Sequence, residues 1–293
     1  MAVILEPLAT LSVLVFVVTS MLAMGLTLTV GQILDPLRDL ALVGKALLAN
    51  FVIVPLLAYV ILLVIPLTDA QSIGLLLLAT AAGAPFLPKL VELAKADVAF
   101  GVGLMVLLMV VTVVYVPIVL PVLLPGVQVD PREIASSLVV LMLLPLAVGL
   151  FVRARYEALA ETLQPTVNQI SSTALVFLLV LMLILNFRTL ISVIGTGVLL
   201  AFAILIVGSL GVGWLLGGPS TETRPVVGLG TAQRNVSAAL VVGAANFDDP
   251  NVVVTLVVGA TLMGLLIVLA GELGKRTQQP DPTRVSEEAA DDD

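Results

Sequence analysis

The chain has 293 residues, of which 60% are apolar and only 11% charged, with a formal net charge of −7. A soluble domain of this size would lack the polar residues to face water, so the composition gives a polytopic membrane protein with the lipid bilayer as its partner. With no cysteine and no histidine, disulfides, thiol nucleophiles, haem axial histidines and Cys/His zinc sites are excluded. Phosphate-cradling and dinucleotide motifs are missing as well. Gly228-Leu229-Gly230 is only a fragment of one, with no strand before it. Neither nucleic acid nor an organic cofactor is expected.

A span needs about 20 apolar residues. On that rule hydropathy and turn signals divide the chain into nine segments, 7–30, 40–65, 72–95, 99–123, 136–153, 166–187, 190–216, 225–246 and 251–273. The first has no Lys or Arg before Leu8 and a long apolar run, which reads as a spanning helix rather than a removed leader. Glu6, at its start, is most simply interfacial, as is Glu272 at the end of the ninth. The second contains Asn50 among apolar residues, where a hydrogen bond between helices is the default reading.

The third segment carries Gly83, Pro85 and Pro88 in its middle. Proline removes an amide donor and clashes with the preceding turn, so a sharp break is expected near 83–88. Beyond it, Glu92 and Lys95 are three apart and could pair on one helical face. Lys89 either faces an inner cavity or snorkels from the helix end. Segments seven and nine are rich in Gly and Ala, as close helix packing requires.

The eighth segment holds a polar island. Gly228 and Gly230 loosen it, and Thr231, Gln233, Arg234, Asn235 and Ser237 follow. Non-helical backbone and charge are tolerated in hydrocarbon only inside protein or beside a water-filled cavity, so this island is expected to be the seat of function. Arg234 is either the counter-charge for an anion or bonded to carbonyls freed by the broken third segment, or paired with Glu92 or Asp97. Gln233 and Asn235 either line a cavity or cap half-helices. Thr231 and Ser237 suit either task, with Ser237 the better placed to cap the second half-helix. The start of that half-helix favours an anion. Asn235-Val236-Ser237 matches a glycosylation acceptor that should stay unmodified inside the membrane.

Broken segments third from the start and second from the end, each followed by an uninterrupted span, predict an inverted repeat with two crossing breaks. After Arg276 an acidic tail, 277–293, is expected to be disordered and cytoplasmic. With the N-terminus outside, ten basic residues fall in inner loops: Arg38, Lys45, Lys89, Lys95, Arg153, Arg155, Arg224, Lys275, Arg276 and Arg284. Only Arg132 and Arg188 fall outside, and Arg234 stays within the membrane. The bias predicts N-out, C-in in a cell membrane.

Gly230-Thr231-Ala232-Gln233-Arg234-Asn235, with Ser237-Ala238-Ala239-Leu240, resembles the second crossover helix of the bile acid:sodium symporter family. Leu93 to Ala99 is similar to the end of its first crossover, and Asn50-Phe51 with Pro55-Leu56-Leu57-Ala58 to the preceding span. Met24-Gly25-Leu26 and Pro145 to Leu150 fit its panel helices. The resemblance, over most of 20–273, implies an all-α fold of nine or ten helices. Segments one, five and six would form a panel and the rest a core. Sodium-coupled members carry a glutamate four residues before the crossover glutamine, which here is Leu229. Their adjacent serine and asparagine of the first crossover fall at Leu87 and Pro88. Sodium needs several oxygen ligands, so these departures argue against sodium coupling.

The expected function is secondary transport of a small organic anion by alternating access. A sodium-independent or proton-coupled efflux carrier is the alternative within transport, although no titratable relay is evident. An arsenite-type carrier would want a thiol, which this chain lacks. An enzyme would need a nucleophile–base pair or metal cluster, and a non-transporting receptor would need an output domain.

Overall fold

Prolines and unpaired polar residues decide where these apolar runs stop being helical. The computed structural model describes residues 2–34, 38–124, 130–193 and 195–276. For 2–7, 9–10, 178–179, 182–183 and 185–193 it describes the backbone alone. Among the described residues every regular element is a helix. They are α1 Ala2–Thr27, short α2 Val30–Leu34, α3 Leu40–Leu48, α4 Val54–Val64, α5 Asp69–Thr80, α6 Leu87–Leu93 and α7 Val98–Leu123. There follow α8 Pro131–Leu138, α9 Leu144–Arg155, α10 Glu157–Val193, α11 Val198–Leu216, α12 Arg224–Ala232, α13 Val236–Asn246, α14 Pro250–Met263 and α15 Leu265–Arg276.

Among the described residues five continuous stretches are long and apolar enough to cross a membrane: Leu40–Val64, Val98–Leu123, Pro131–Arg155, Val198–Leu216 and Pro250–Lys275. Leu11–Thr27 and Asp69–Thr80 are shorter apolar helices. The chain is a multi-pass membrane protein. The expected turn between segments six and seven lies elsewhere. α10 runs on through Arg188 to Val193, and the chain turns at Gly195 and Gly197, both at positive φ. A glycine adopts that backbone without the Cβ clash that burdens other residues. The side chains of Glu6 and Arg188 and the tail 277–293 lie outside the described residues. Glu272 pairs with Lys275 at 2.6 Å, one turn apart and exposed.

Two π turns, Ala49–Ile53 and Val139–Leu143, join α3 to α4 and α8 to α9. Each ends just before a proline in the first turn of the next helix, Pro55 or Pro145. Proline offers no N–H to the carbonyl four residues back. For Pro55 that carbonyl is Phe51 O, and Tyr115 of α7 donates its hydroxyl to it at 2.6 Å. The two rings sit 4.8 Å apart, tilted by 59°. A proline in one helix thus fixes a contact to another.

α1 packs closely on α9 and α10, and a second group gathers α5, α11, α12, α13 and α14. The two groups meet where α1 touches α13 and α10 touches α14. α1 and α9 approach closely because Gly25 faces Gly149. A Cβ added at Gly149 would come within 2.6 Å of Leu22 O and 2.8 Å of Gly25 Cα. Gly149→Ala is expected to push the two helices apart and destabilise the protein by about 1–3 kcal/mol. A thermal melt in detergent checks it, and an unshifted melting point would mean the helices separate freely.

Candidate functional site

The third and eighth predicted segments are each broken, and the breaks are bonded to each other. α5 ends at Thr80, with Ala81 extended at ψ 100°. Gly83 follows at φ 78°, and a Cβ there would also run into the backbone of Met105 and Met109 of α7. Pro85 sits in the turn, and Pro88 lies in the first turn of α6, where proline's missing N–H costs no helical bond. In the eighth segment Gly228 and Gly230 do not break the helix. Both are helical within α12, Gly228 lying close under Trp214 and Gly230 under Leu87. Their role is close approach, and the break comes at Gln233 to Asn235.

Asn235 locks the breaks together. Its backbone N–H donates to Ala81 O at 2.9 Å and its side-chain amide to Gly83 O at 2.8 Å. Its carbonyl Oδ1 accepts from Ala238 N at 3.0 Å, so Asn235, and not Ser237, caps α13. Cap and cross-link together engage both the oxygen and the nitrogen of the side chain. From α7, Thr112 Oγ1 accepts from Ala82 N at 3.0 Å and donates to Ala82 O at 3.1 Å.

Arg234 is fully buried, at 0% exposure. Its Nε donates to Leu78 O at 3.0 Å, Nη2 to Ala79 O at 2.7 Å, and Nη1 to Thr231 O at 3.1 Å and Asn50 Oδ1 at 2.7 Å. The guanidinium therefore rests on carbonyls of the broken third segment. Neither Glu92 nor Asp97 pairs with it. Glu92 pairs with Lys89 at 2.8 Å, one turn away, instead of with Lys95. Asp97 caps α7 through Phe100 N at 2.9 Å. Lys95 takes a left-handed backbone, φ 54°, just past α6, which carries it off the face of Glu92.

Asn50, inside the first π turn, bridges Arg234 and Thr231. Its Nδ2 donates to Thr231 Oγ1 at 3.2 Å and to Ala46 O at 2.9 Å. Thr231 in turn donates to Val227 O at 2.7 Å. Because arginine can only donate, the side-chain oxygen of Asn50 must face it.

Beside this network lies a cavity of about 420 Å³. Its walls come from Phe16, Ser20, Ala23 and Met24 of α1, from Ala84 to Phe86 in the first break, and from Asn168, Ser171, Ser172 and Leu175 of α10. Gln233, Val236, Ser237, Ala260 and Thr261 close it, and Arg234 lies against it without exposing surface. The Gln233 side-chain amide makes no hydrogen bond among the described residues, and neither do the side chains of Asn168, Ser20, Ser172 and Ser237, whereas the Gln233 backbone N–H donates to Leu229 O. Asn50, Thr231, Asn235 and Lys89 do not line it. The first three are spent in hydrogen bonds among the helix ends around the two breaks, and Lys89 is exposed on α6. A larger groove of about 490 Å³ runs between α1 and α10, but its one buried polar side chain, Ser12, is satisfied by Leu8 O at 2.6 Å.

The α10 residues went unnoticed in the sequence. Asn168, Ser171 and Ser172 stand three and four apart on one helical face, within a polar stretch that also holds Thr166, Gln169 and Thr173, and that spacing is the available signal. The positions at which the family resemblance would place sodium ligands offer no side-chain oxygen. Leu87 and Leu229 are buried and apolar, and Pro88 is in α6.

The sequence model of the Sodium Bile acid symporter family matches residues 13–193. This is more than half of the chain, and it takes in the first break but ends before the second. No curated protein matches the chain.

Proposed function

The chain belongs to the sodium bile acid symporter family, and from that premise we propose that it is a secondary carrier moving a small organic anion by alternating access. The observation that carries this reading is the cavity itself. It lies where α1 and α10 meet the broken segments, and it presents the unpartnered amides of Gln233 and Asn168 with the hydroxyls of Ser20, Ser172 and Ser237. Such uncommitted polar groups in a largely apolar pocket suit a ligand that arrives with its own donors and acceptors.

An anion fits better than a cation. Among the described residues no Asp or Glu lines the cavity. The 11-residue α13 begins at Val236 on its wall, offering the positive end of a helix dipole. In this reading the nine segments form an inverted repeat, with the panel 7–30, 136–153 and 166–187 rocking against a core of the other six. Gln233 and Ser237 would then face each side in turn. The bias of basic residues supports an N-terminus outside and a C-terminus in the cytoplasm of a cell-membrane protein.

The test is counterflow in liposomes reconstituted with the purified protein, using radiolabelled pyruvate, succinate and a bile acid against a cationic control, choline. Saturable exchange of at least one anion and none of choline is expected, and choline exchange with no anion exchange would reject the reading. Gln233→Leu should leave the melting point near wild type. It should cut anion counterflow about 10- to 100-fold, the worth of one hydrogen bond to a charged group. Undiminished flux in that variant would remove Gln233 from the site.

A further inference from the structure

Arg234 carries a full charge with no carboxylate bonded to it among the described residues, and three of its four acceptors have a common origin. Leu78 and Ala79 belong to the last turn of α5, and Thr231 to the last turn of α12. Carbonyls at a helix C-terminus have lost their partners four residues on. Here the loss is explicit. The amide that would close on Leu78 O is that of Ala82, and it bonds Thr112 instead. The amide that would close on Thr231 O is that of Asn235, and it bonds Ala81 O. Each helix C-terminus also carries a partial charge of roughly −0.5, so two of them converging present about one negative charge. One guanidinium supplies the matching positive charge and N–H donors for both ends.

We propose that Arg234 is a tethered cation, clamping the C-terminal ends of the two broken helices so that their crossing needs no dissociable metal ion. In membrane carriers with broken helices, such freed carbonyls and C-terminal ends are where a coupling cation binds. Here a side chain of the protein occupies them, and Asn50 Oδ1 completes its shell. The inference rests on the transport reading for its meaning, since it makes the carrier independent of sodium. With the C-terminal ends neutralised internally, the N-terminus of α13 is left to set the potential of the cavity.

The experiment reads thermal unfolding of the purified full chain, which separates it from the counterflow test. A failed clamp leaves anion transport standing, and failed counterflow leaves the clamp standing. Wild type should melt at the same temperature in sodium, potassium and choline chloride at equal ionic strength. A saturable rise specific to sodium would overturn the proposal. Arg234→Gly should melt lower and be raised toward wild type by millimolar guanidinium chloride, while urea, its neutral planar counterpart, has no such effect at the same concentration. Equal rescue by urea would show that hydrogen bonding without charge suffices, and would also overturn it. Because Arg234→Gly could fail to fold, Arg234→Lys and Arg234→Gln provide a second comparison. The lysine variant, which keeps the charge, should melt nearer to wild type than the glutamine variant, and the reverse order would reject the clamp.

Discussion

Replacing Asn50 by leucine is expected to destabilise the protein by about 2–4 kcal/mol, since it strips a buried charge of an acceptor. Asn50 Oδ1 takes the 2.7 Å bond from Arg234 Nη1, and both residues are at 0% exposure. Leucine is close in size, so the packing loss is small and the electrostatic loss dominates. The remaining acceptors, Leu78 O, Ala79 O and Thr231 O, are held by helix ends and cannot move in to replace it. Asn50→Asp makes the control. It keeps the acceptor and gives the guanidinium a carboxylate, while losing the donor to Ala46 O and Thr231 Oγ1. A buried pair with good geometry roughly offsets its own desolvation, so the aspartate variant should melt well above the leucine variant. Thermal or denaturant unfolding of the three proteins decides it. If leucine is tolerated as well as aspartate, the guanidinium does not depend on Asn50, and the network is incidental.

Composition made the membrane class legible, because no arrangement of so few polar residues could coat a soluble domain of this length. The first break was legible for an equally direct reason. A proline cannot donate, so Pro85 and its neighbours had to interrupt a helix somewhere within 83–88, and they do so between Thr80 and Leu87. The second was legible in kind and misplaced in position. Glycine signals only permission to deviate, and at Gly228 and Gly230 the neighbouring Trp214 and Leu87 use that permission for close packing. The interruption falls instead where Asn235 finds better partners in the first break than along its own helix.

Asn235 also shows why local sequence favours the wrong capping residue. Both Asn235 and Ser237 are good capping residues in isolation, and only the position of Ala81 and Gly83 selects between them. The same holds for Arg234, whose candidate partners within the chain, the carbonyls of the third segment, Glu92 and Asp97, all lie more than 130 positions away. Long-range pairing of this kind leaves no local trace. Asn50 read correctly as a residue that bonds between helices, yet nothing local indicated that its partner would be a guanidinium.

Thr112 is the case the sequence hid completely, and it supports the other large expected effect. A threonine within a helix ordinarily bonds its hydroxyl to a carbonyl one turn back. Thr112, fully buried in α7, reaches across to the first break and satisfies both the N–H and the C=O of Ala82. Thr112→Val preserves shape and volume but leaves two buried backbone groups without their partner. At about 1–3 kcal/mol for each, the cost should come to about 2–6 kcal/mol, large for a change of one hydroxyl to a methyl. Thr112→Ser keeps the hydroxyl and should lose only the packing of one methyl, about 1 kcal/mol. A serine variant that melts close to wild type beside a valine variant that melts far below it would assign the effect to the hydrogen bonds. Equal losses in the two would assign it to packing. A silent valine variant would mean that water reaches Ala82 and that the break is wetter than its burial implies. The order of the three proteins therefore measures how dry the first break is, and dryness there is the condition under which the charge of Arg234 acts at full strength on the helix ends around it.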